Sequence, residues 1–392
     1  LKFERNIARN SKFNIKIDYA RSRGSYIYDK TSAKEYLDFF GMYSSLPLGY
    51  NHKIFDTKRF KHEMLEVSKV KINNCEFTSD SSLEFDKQFM SFVAANLFTR
   101  AHYSCTGALA VEAAIKAACV YKKHKDIKVL SFHNSFHGIN GLAGFFTSRL
   151  GSVQNRLEML PDVFSFKTNF DIENIEKALK ENEITCVLIE PIQCTAGDIY
   201  YERKLFKELE SLCNKFNVPM IFDEIQTGFC VTGKVWYFQH LDIKPEMVVF
   251  GKKSQVSGVL FTPKLTKVLN KENTSKLEVT WDSDPVDMVR CKHIISHLLK
   301  KNSLKKIEDS GAFFLSELKK IKGVENPRGI GLLLAFDLKN EGLRDKVVKQ
   351  MFDNGLISNK TGECSIRLRP HLLVKKEELK VGISIIRQSI GE

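Results

Sequence analysis

The stretch "FDEIQTGFCVTGKVWYFQH" runs from Phe222 to His240, and "FGKKSQVSG" follows from Phe250 to Gly258. Each begins where an apolar run stops. The first run ends in two acids, Asp223 and Glu224, and the second in two lysines, Lys252 and Lys253. Short apolar runs bounded by turn residues read as buried strands. Residues 129–132, 186–190, 218–223 and 247–250 all fit that description, and amphipathic stretches at 172–180 and 204–216 lie between them. Strand–helix alternation of this kind predicts an α/β fold whose mostly parallel central sheet is covered on both faces.

Outward from that core the texture changes. From about Asp284 the sequence reads as a helix ("VDMVRCKHIISHLLKK"), then a strand over 329–338 ("GIGLLLAFDL"), then another helix and a short strand. Near the start, "GSYIYDKTSAKEYLDFF" reads as a hairpin turning near Asp29 and Lys30. The expected organisation is a large α/β domain over residues 46–283. A smaller α+β domain would be built from residues 1–45 and 284–392 together.

The chain has 392 residues, 43% of them hydrophobic, ample for a large core. No apolar stretch approaches the roughly 18 residues of a membrane span, and "LKFERNIARNSK" is too polar for a secretory signal. Nine cysteines, Cys75, Cys105, Cys194, Cys230 and Cys364 among them, show no CxxC pair and no metal-ligand spacing. Reduced thiols in a cytoplasmic protein, with no metal, are the expectation. The net charge of +13 comes from lysines spread along the whole chain. No basic stretch is interleaved with aromatics, so the charge reads as a solvated surface rather than a nucleic-acid or membrane footprint.

In open α/β sheets, ligands sit beyond the carboxyl ends of the strands. Asp223 and Lys252 both fall at such ends. Either residue alone suits a helix cap or a solvated surface. Together they suit pyridoxal phosphate, which needs an amine for a Schiff base and a carboxylate to keep its ring nitrogen protonated. A phosphate site is available in "SCTGALAVEAAIKAA", where Thr106, Gly107 and Ala108 precede a helix with Val111, Ala114, Ile115 and Ala118 on its apolar face. Backbone N–H groups and the helix dipole at such a start attract an anion, although an ordinary cap has the same look. In "SFHNSFHGINGLAG", Phe136 and His137 follow a strand and could lay a ring against the cofactor, or simply pack in a loop.

In this order the motifs resemble class III (omega-type) pyridoxal-phosphate aminotransferases over most of the chain. "IFDEIQTGFCVTGKVW" with Lys252 beyond it is the most specific part. "LDIKPEMVVFGKKSQVSGV" and "VTWDSDPVDMVR" look most like the lysine 6-aminotransferase branch, a relative of the 4-aminobutyrate aminotransferases. The resemblance implies a fold-type I homodimer with active sites shared at the subunit interface. It implies Lys252 as the Schiff-base lysine in preference to Lys253, and Asp223 at the pyridine nitrogen. Gln226 would meet the ring hydroxyl, Phe136 the ring face, and His137 would stand behind. Gly107 and Ala108, beside Thr106, would hold the phosphate with Thr280 of the other subunit. Arg367 in "SIRLRPHL" would hold a substrate α-carboxylate as a bidentate pair, with Arg369 as the competitor.

The sequence departs from that branch where substrate is read. An arginine usually follows Phe-His-Gly; here it is Ile139. A glutamate usual in "EPIQGEGG" is Thr195 here. An expected asparagine is Glu278, and two glycines are Asp282 and Ser283. The expectation is therefore an aminotransferase using glutamate and 2-oxoglutarate through Arg367, with a less anionic aldehyde or ketone as the other partner. A racemase, epimerase or decarboxylase on the same fold, or a binding protein that has lost catalysis, stands as the alternative.

Overall fold

The computed structural model describes residues 13–72, 76–123, 127–148, 165–267, 269, 270, 273, 275–300 and 302–391. Cys75 and the opening residues 1–12 lie outside them.

A seven-stranded sheet forms the centre. Its spatial order is Arg100–Ser104, Ser257–Phe261, Met247–Phe250, Met220–Asp223, Cys186–Ile189, Val129–Phe132 and Ser165–Thr168. Only Ser257–Phe261 runs against the others. The parallel strands "VLSF", "CVLI", "MIFD" and "MVVF" are buried at every position, so they show no alternation. The helix Gly107–Lys122 packs on the sheet at Met247–Phe250 and Ser257–Phe261. Its inward stripe Val111, Ala114, Ile115 and Ala118 is fully buried. The alanines let the helix approach closely, and burying a side chain such as Ile115 contributes roughly 1.5–3 kcal/mol.

Besides the short antiparallel pair Ile192–Gln193 and Ile199–Tyr200, two smaller sheets accompany this core. Tyr26–Asp29 and Lys34–Asp38 form the expected hairpin, and Leu356–Ile357 joins it in parallel from the far end of the chain. The other sheet has the order Glu325–Ile330, Leu333–Asp337, Ser365–Leu368 and Asn359–Thr361, all antiparallel. It corrects one expectation. "GIGLLLAFDL" is not one strand but the tip and return of a hairpin, with Ile330 opposite Leu333. Gly331 makes the turn at φ 55°, where a Cβ would run into the Val231 carbonyl oxygen, so only glycine fits. Among the described residues, no helix is long and apolar enough to cross a membrane, and no cysteine is in a disulfide.

Candidate active site

The carboxyl ends of the parallel strands gather Asp223, Glu190, the Phe136 loop and Lys252 along one edge. Met220–Asp223 and Met247–Phe250 are neighbours, with Val249 opposite Asp223.

The two acids at the first strand end divide their work. Glu224 turns inward and accepts the N–H groups of Tyr237 and Phe238 at 2.6 and 2.9 Å and the Thr227 hydroxyl at 3.2 Å. It fastens the following turn, and burial pushes its carboxyl up to about 7. Asp223 faces the other way. Its Oδ2 lies 2.8 Å from His137 Nδ1, both side chains buried, and its Oδ1 accepts the Ile225 N–H at 3.2 Å. His137 is itself fixed by its backbone N–H, which donates to Thr147 Oγ1 at 2.8 Å. The carboxylate is thus held in one plane from two sides, an orientation suited to a ring N–H.

Lys252 follows Gly251 in the left-handed region at φ 54°, where a side chain costs conformational energy. Burial pushes its amine below the usual lysine value, and the charge of Asp223 acts in the opposite sense. Lys253, next along the turn Lys252–Ser254, is 2% exposed, and its Nζ has no hydrogen-bond partner.

The helix start at Gly107 completes a cradle. Thr106 caps it, its Oγ1 accepting the Leu109 N–H at 3.3 Å, while the first helical N–H groups lack intrahelical partners. A Cβ on Gly107 would lie 2.7 Å from Ile225 Cδ1, and one on Gly138 would lie 2.7 Å from Ala108 Cβ. The helix start, the segment after Asp223 and the Phe136–Gly138 loop therefore pack with no room to spare. The cradle has a fixed carboxylate, a buried amine and a helix N-terminus on one edge. That donor set fits a pyridine ring bearing an aldehyde and a phosphate.

Sequence reasoning passed over Glu190. It stands at the end of Cys186–Ile189 and accepts the Phe136 N–H at 2.6 Å, so it sets the height of the Phe136 loop. Burial, and then the charge of Asp223, hold its carboxyl well above the usual range. The strand-end rule that picked out Asp223 applies equally to Glu190.

On the substrate side the two arginines separate. Arg369 is fully buried and committed. It pairs with Asp198 at 2.5 Å, reaches Gln226 Oε1 at 3.2 Å and donates to the Leu334 and Leu368 carbonyls. Gln226 is 8% exposed. Arg367, 6% exposed, donates to the Cys194 carbonyl at 3.1 Å and lies 6.0 Å from the exposed ring of Tyr43. Burial and the charge of Arg369 both press its guanidinium below the usual arginine value. Thr195 is half-buried, its carbonyl accepting the Thr361 hydroxyl at 2.8 Å. Ile139 is 70% exposed. Thr280 is exposed in a turn that the Cys105 thiol secures through the Trp281 carbonyl at 2.8 Å. Within one chain, Ile139 and Thr280 are not drawn into the cluster around Asp223. A cavity of about 850 Å³ opens beside Gly197, Arg328 and Ser365, but neither Lys252 nor Asp223 lines it.

The family profile described as aminotransferase class-III matches residues 7–390. An L-lysine-epsilon aminotransferase of Mycobacterium bovis is 29% identical over 96% of this chain and 92% of its own length. A 4-aminobutyrate aminotransferase of Kluyveromyces lactis is 26% identical over 96% and 90%. The lysine aminotransferase from M. tuberculosis, solved in the internal aldimine form, superposes with a TM-score of 0.91 at 27% identity and covers 97% of this chain and 96% of its own. With a profile match of this length and a fold this close, the chain belongs to the class-III aminotransferases and is a pyridoxal-phosphate-dependent transaminase of the fold-type I architecture.

Proposed function

We propose that this transaminase takes its amino group from glutamate, releasing 2-oxoglutarate, and passes it to an aldehyde or ketone that carries no distant carboxylate. It would act as a cytoplasmic homodimer in which Thr280 reaches the cofactor phosphate of the other subunit.

Bound pyridoxal phosphate supplies the carbonyl that takes up the amino group and the ring that draws electrons from the substrate carbon. The chain's own residues do the rest. Lys252 would hold the cofactor through its amine, and that amine, when free, would take the proton from the substrate carbon. Asp223, oriented by His137, would keep the ring nitrogen protonated, and Gln226 would meet the ring hydroxyl. Phe136 would cover the ring face. Thr106, Gly107 and Ala108 would anchor the phosphate on the helix dipole.

The donor assignment rests on one observation: Arg367 is a buried cation that donates to the Cys194 carbonyl, and among the described residues no carboxylate forms an ion pair with it. A substrate α-carboxylate supplies the missing charge. Ile139 and Thr195 place neither a cation nor an anion elsewhere in the substrate region, which disfavours a donor whose only carboxylate lies far from the reacting amine. The relatives' names make lysine and 4-aminobutyrate the rival donors.

The test is single-turnover absorbance with the three donors. Glutamate is expected to convert the cofactor fastest. Arg367→Met is expected to lower its efficiency by about 10–100-fold, the worth of roughly 1.5–3 kcal/mol for a charged hydrogen bond. Ile139→Arg should raise 4-aminobutyrate turnover. Efficient lysine or 4-aminobutyrate turnover by the unaltered protein would overturn the assignment, and turnover without any keto acid would point to racemisation instead.

A further inference from the structure

Four consecutive residues, Gly41 to Ser44, hold positive φ angles of 54°, 49°, 57° and 75°. They make one left-handed turn. Glycine adopts that conformation freely, but Met42, Tyr43 and Ser44 do so at an energetic cost, and side chains normally visit it singly. Such a run persists only where the surroundings enforce it, and strain of this kind gathers at ligand clamps and switches.

The turn is pinned at both ends. Asp38 Oδ1 accepts the N–H groups of Phe40 and Gly41 at 2.9 Å each. A Cβ on Gly41 would lie 2.5 Å from the Arg369 carbonyl oxygen, so the first residue of the turn lies flat against the segment that carries both arginines. At the far end the Ser45 N–H donates to the Gly41 carbonyl at 2.7 Å, and Ser44 is fully buried. Between these anchors Met42 and Tyr43 project, 37% and 50% exposed. The Tyr43 ring meets Phe40 edge to face with centroids 4.5 Å apart, and its own face lies 6.0 Å from the guanidinium carbon of Arg367. The strained turn thus places a half-exposed aromatic ring on the buried cation that reads substrate.

That cation faces two different occupants in one cycle. The α-carboxylate of bound glutamate balances Arg367. A carbonyl acceptor without a carboxylate leaves the guanidinium buried and uncompensated, since Thr195 supplies no anion and the Cys194 carbonyl takes one N–H at 3.1 Å. An aromatic face attracts a guanidinium, the more so where water is excluded. It holds one less strongly than a charge-assisted pair does. A ring in this position therefore yields to a carboxylate and returns when none is present.

We propose that Tyr43 is a specificity-determining residue whose ring covers Arg367 when the site holds no carboxylate and is displaced when glutamate or 2-oxoglutarate binds. One arginine then serves both an anionic donor and a carboxylate-free acceptor. The ring face does this work, not the hydroxyl. The pinned ends of the turn keep the ring within reach of Arg367, and the exposure of Met42 and Tyr43 leaves it free to swing aside. This rests on Arg367 being the residue that reads the substrate α-carboxylate.

The experiment measures the affinity of the holoenzyme for glutarate, a dicarboxylate that carries no amine, by titration calorimetry. Tyr43→Leu removes the aromatic face and should bind glutarate about 3–10-fold more tightly, because no contact has to be broken first. Tyr43→Phe keeps the face and should match the unaltered protein. Tyr43→Gly suits the left-handed angle and should repeat the Leu result, so the test stands even where the Leu variant fails to fold. Weaker binding by the Phe variant would make the hydroxyl a ligand of the carboxylate and overturn the cover. Unchanged affinity in the Leu and Gly variants refutes it too, since a purely structural tyrosine alters resistance to denaturant and not glutarate affinity. Arg367→Met separates the two readings. If that variant binds glutarate as tightly as the unaltered protein, the role of Arg367 itself falls. If it loses glutarate while the Tyr43 variants do not shift, the cover alone falls.

Discussion

Arg367 and Arg369 stand two residues apart on the same segment, both buried, yet they are differently used. Arg369 meets Asp198 and is spent on structure. Arg367 meets a backbone carbonyl from the same loop, at Cys194, and keeps its charge uncompensated. The loop makes the difference: it delivers a carboxylate to one guanidinium and a peptide dipole to the other. A buried cation is a ligand site or a structural brace according to what the opposite segment presents, and its own sequence context does not say which. The acids repeat the contrast. Asp198 serves the brace, whereas Asp223, clamped by His137, faces the cradle.

The largest expected effect comes from breaking the brace. Asp198→Asn leaves Arg369 buried and unpaired, which should cost about 3–5 kcal/mol of stability. Arg367→Met should change stability by under about 1 kcal/mol. Denaturant melts of the two variants decide; equal losses would dissolve the distinction. Next is Asp223→Asn, which keeps the hydrogen bond to His137 but not the charge at the ring nitrogen. Single-turnover rates should fall by roughly 10²–10³-fold with cofactor retention largely unchanged. Unaltered rates would make Asp223 a brace as well.

The smallest effect concerns His371, two residues beyond Arg369. Burial holds its imidazole down at about 3, against an ordinary value of 6.5. The folded state therefore binds fewer protons than the unfolded one. Its contribution is complete above about pH 6.5 and is lost as pH falls towards 3, at about 1.4 kcal/mol per unit. Lowering pH from 7.5 to 5.5 should weaken the protein by about 1.4 kcal/mol through this residue, and His371→Gln should remove that share of the acid sensitivity in paired melts.

The parallel strands were legible because strands buried on both faces read as unbroken apolar runs, and two of their ends exposed Asp223 and Lys252 as neighbours. Legibility failed where conformation or distance decides. Gly331 bends one apolar run into two strands through a backbone angle that the run itself does not announce. Ser257–Phe261, inserted against the direction of its neighbours, follows too closely on Lys252 for alternation of strands and helices to reveal it. The choice between Arg367 and Arg369 needed Asp198, 171 residues away from the latter. Among the described residues, Thr280 and Ile139 stay exposed in one chain, so their own fold assigns them no role.

The pairing of Lys34–Asp38 with Leu356–Ile357 sets a schedule for the molecule's birth. The ribosome adds roughly 300 residues between these two strands, on the order of 15–60 s of synthesis at 5–20 residues per second. The cradle at Gly107, Asp223 and Lys252 can close while translation continues. The segment after Asp38, whose Phe39 N–H waits for the Ile357 carbonyl and whose Gly41 lies against Arg369, cannot be seated until the last stretch emerges.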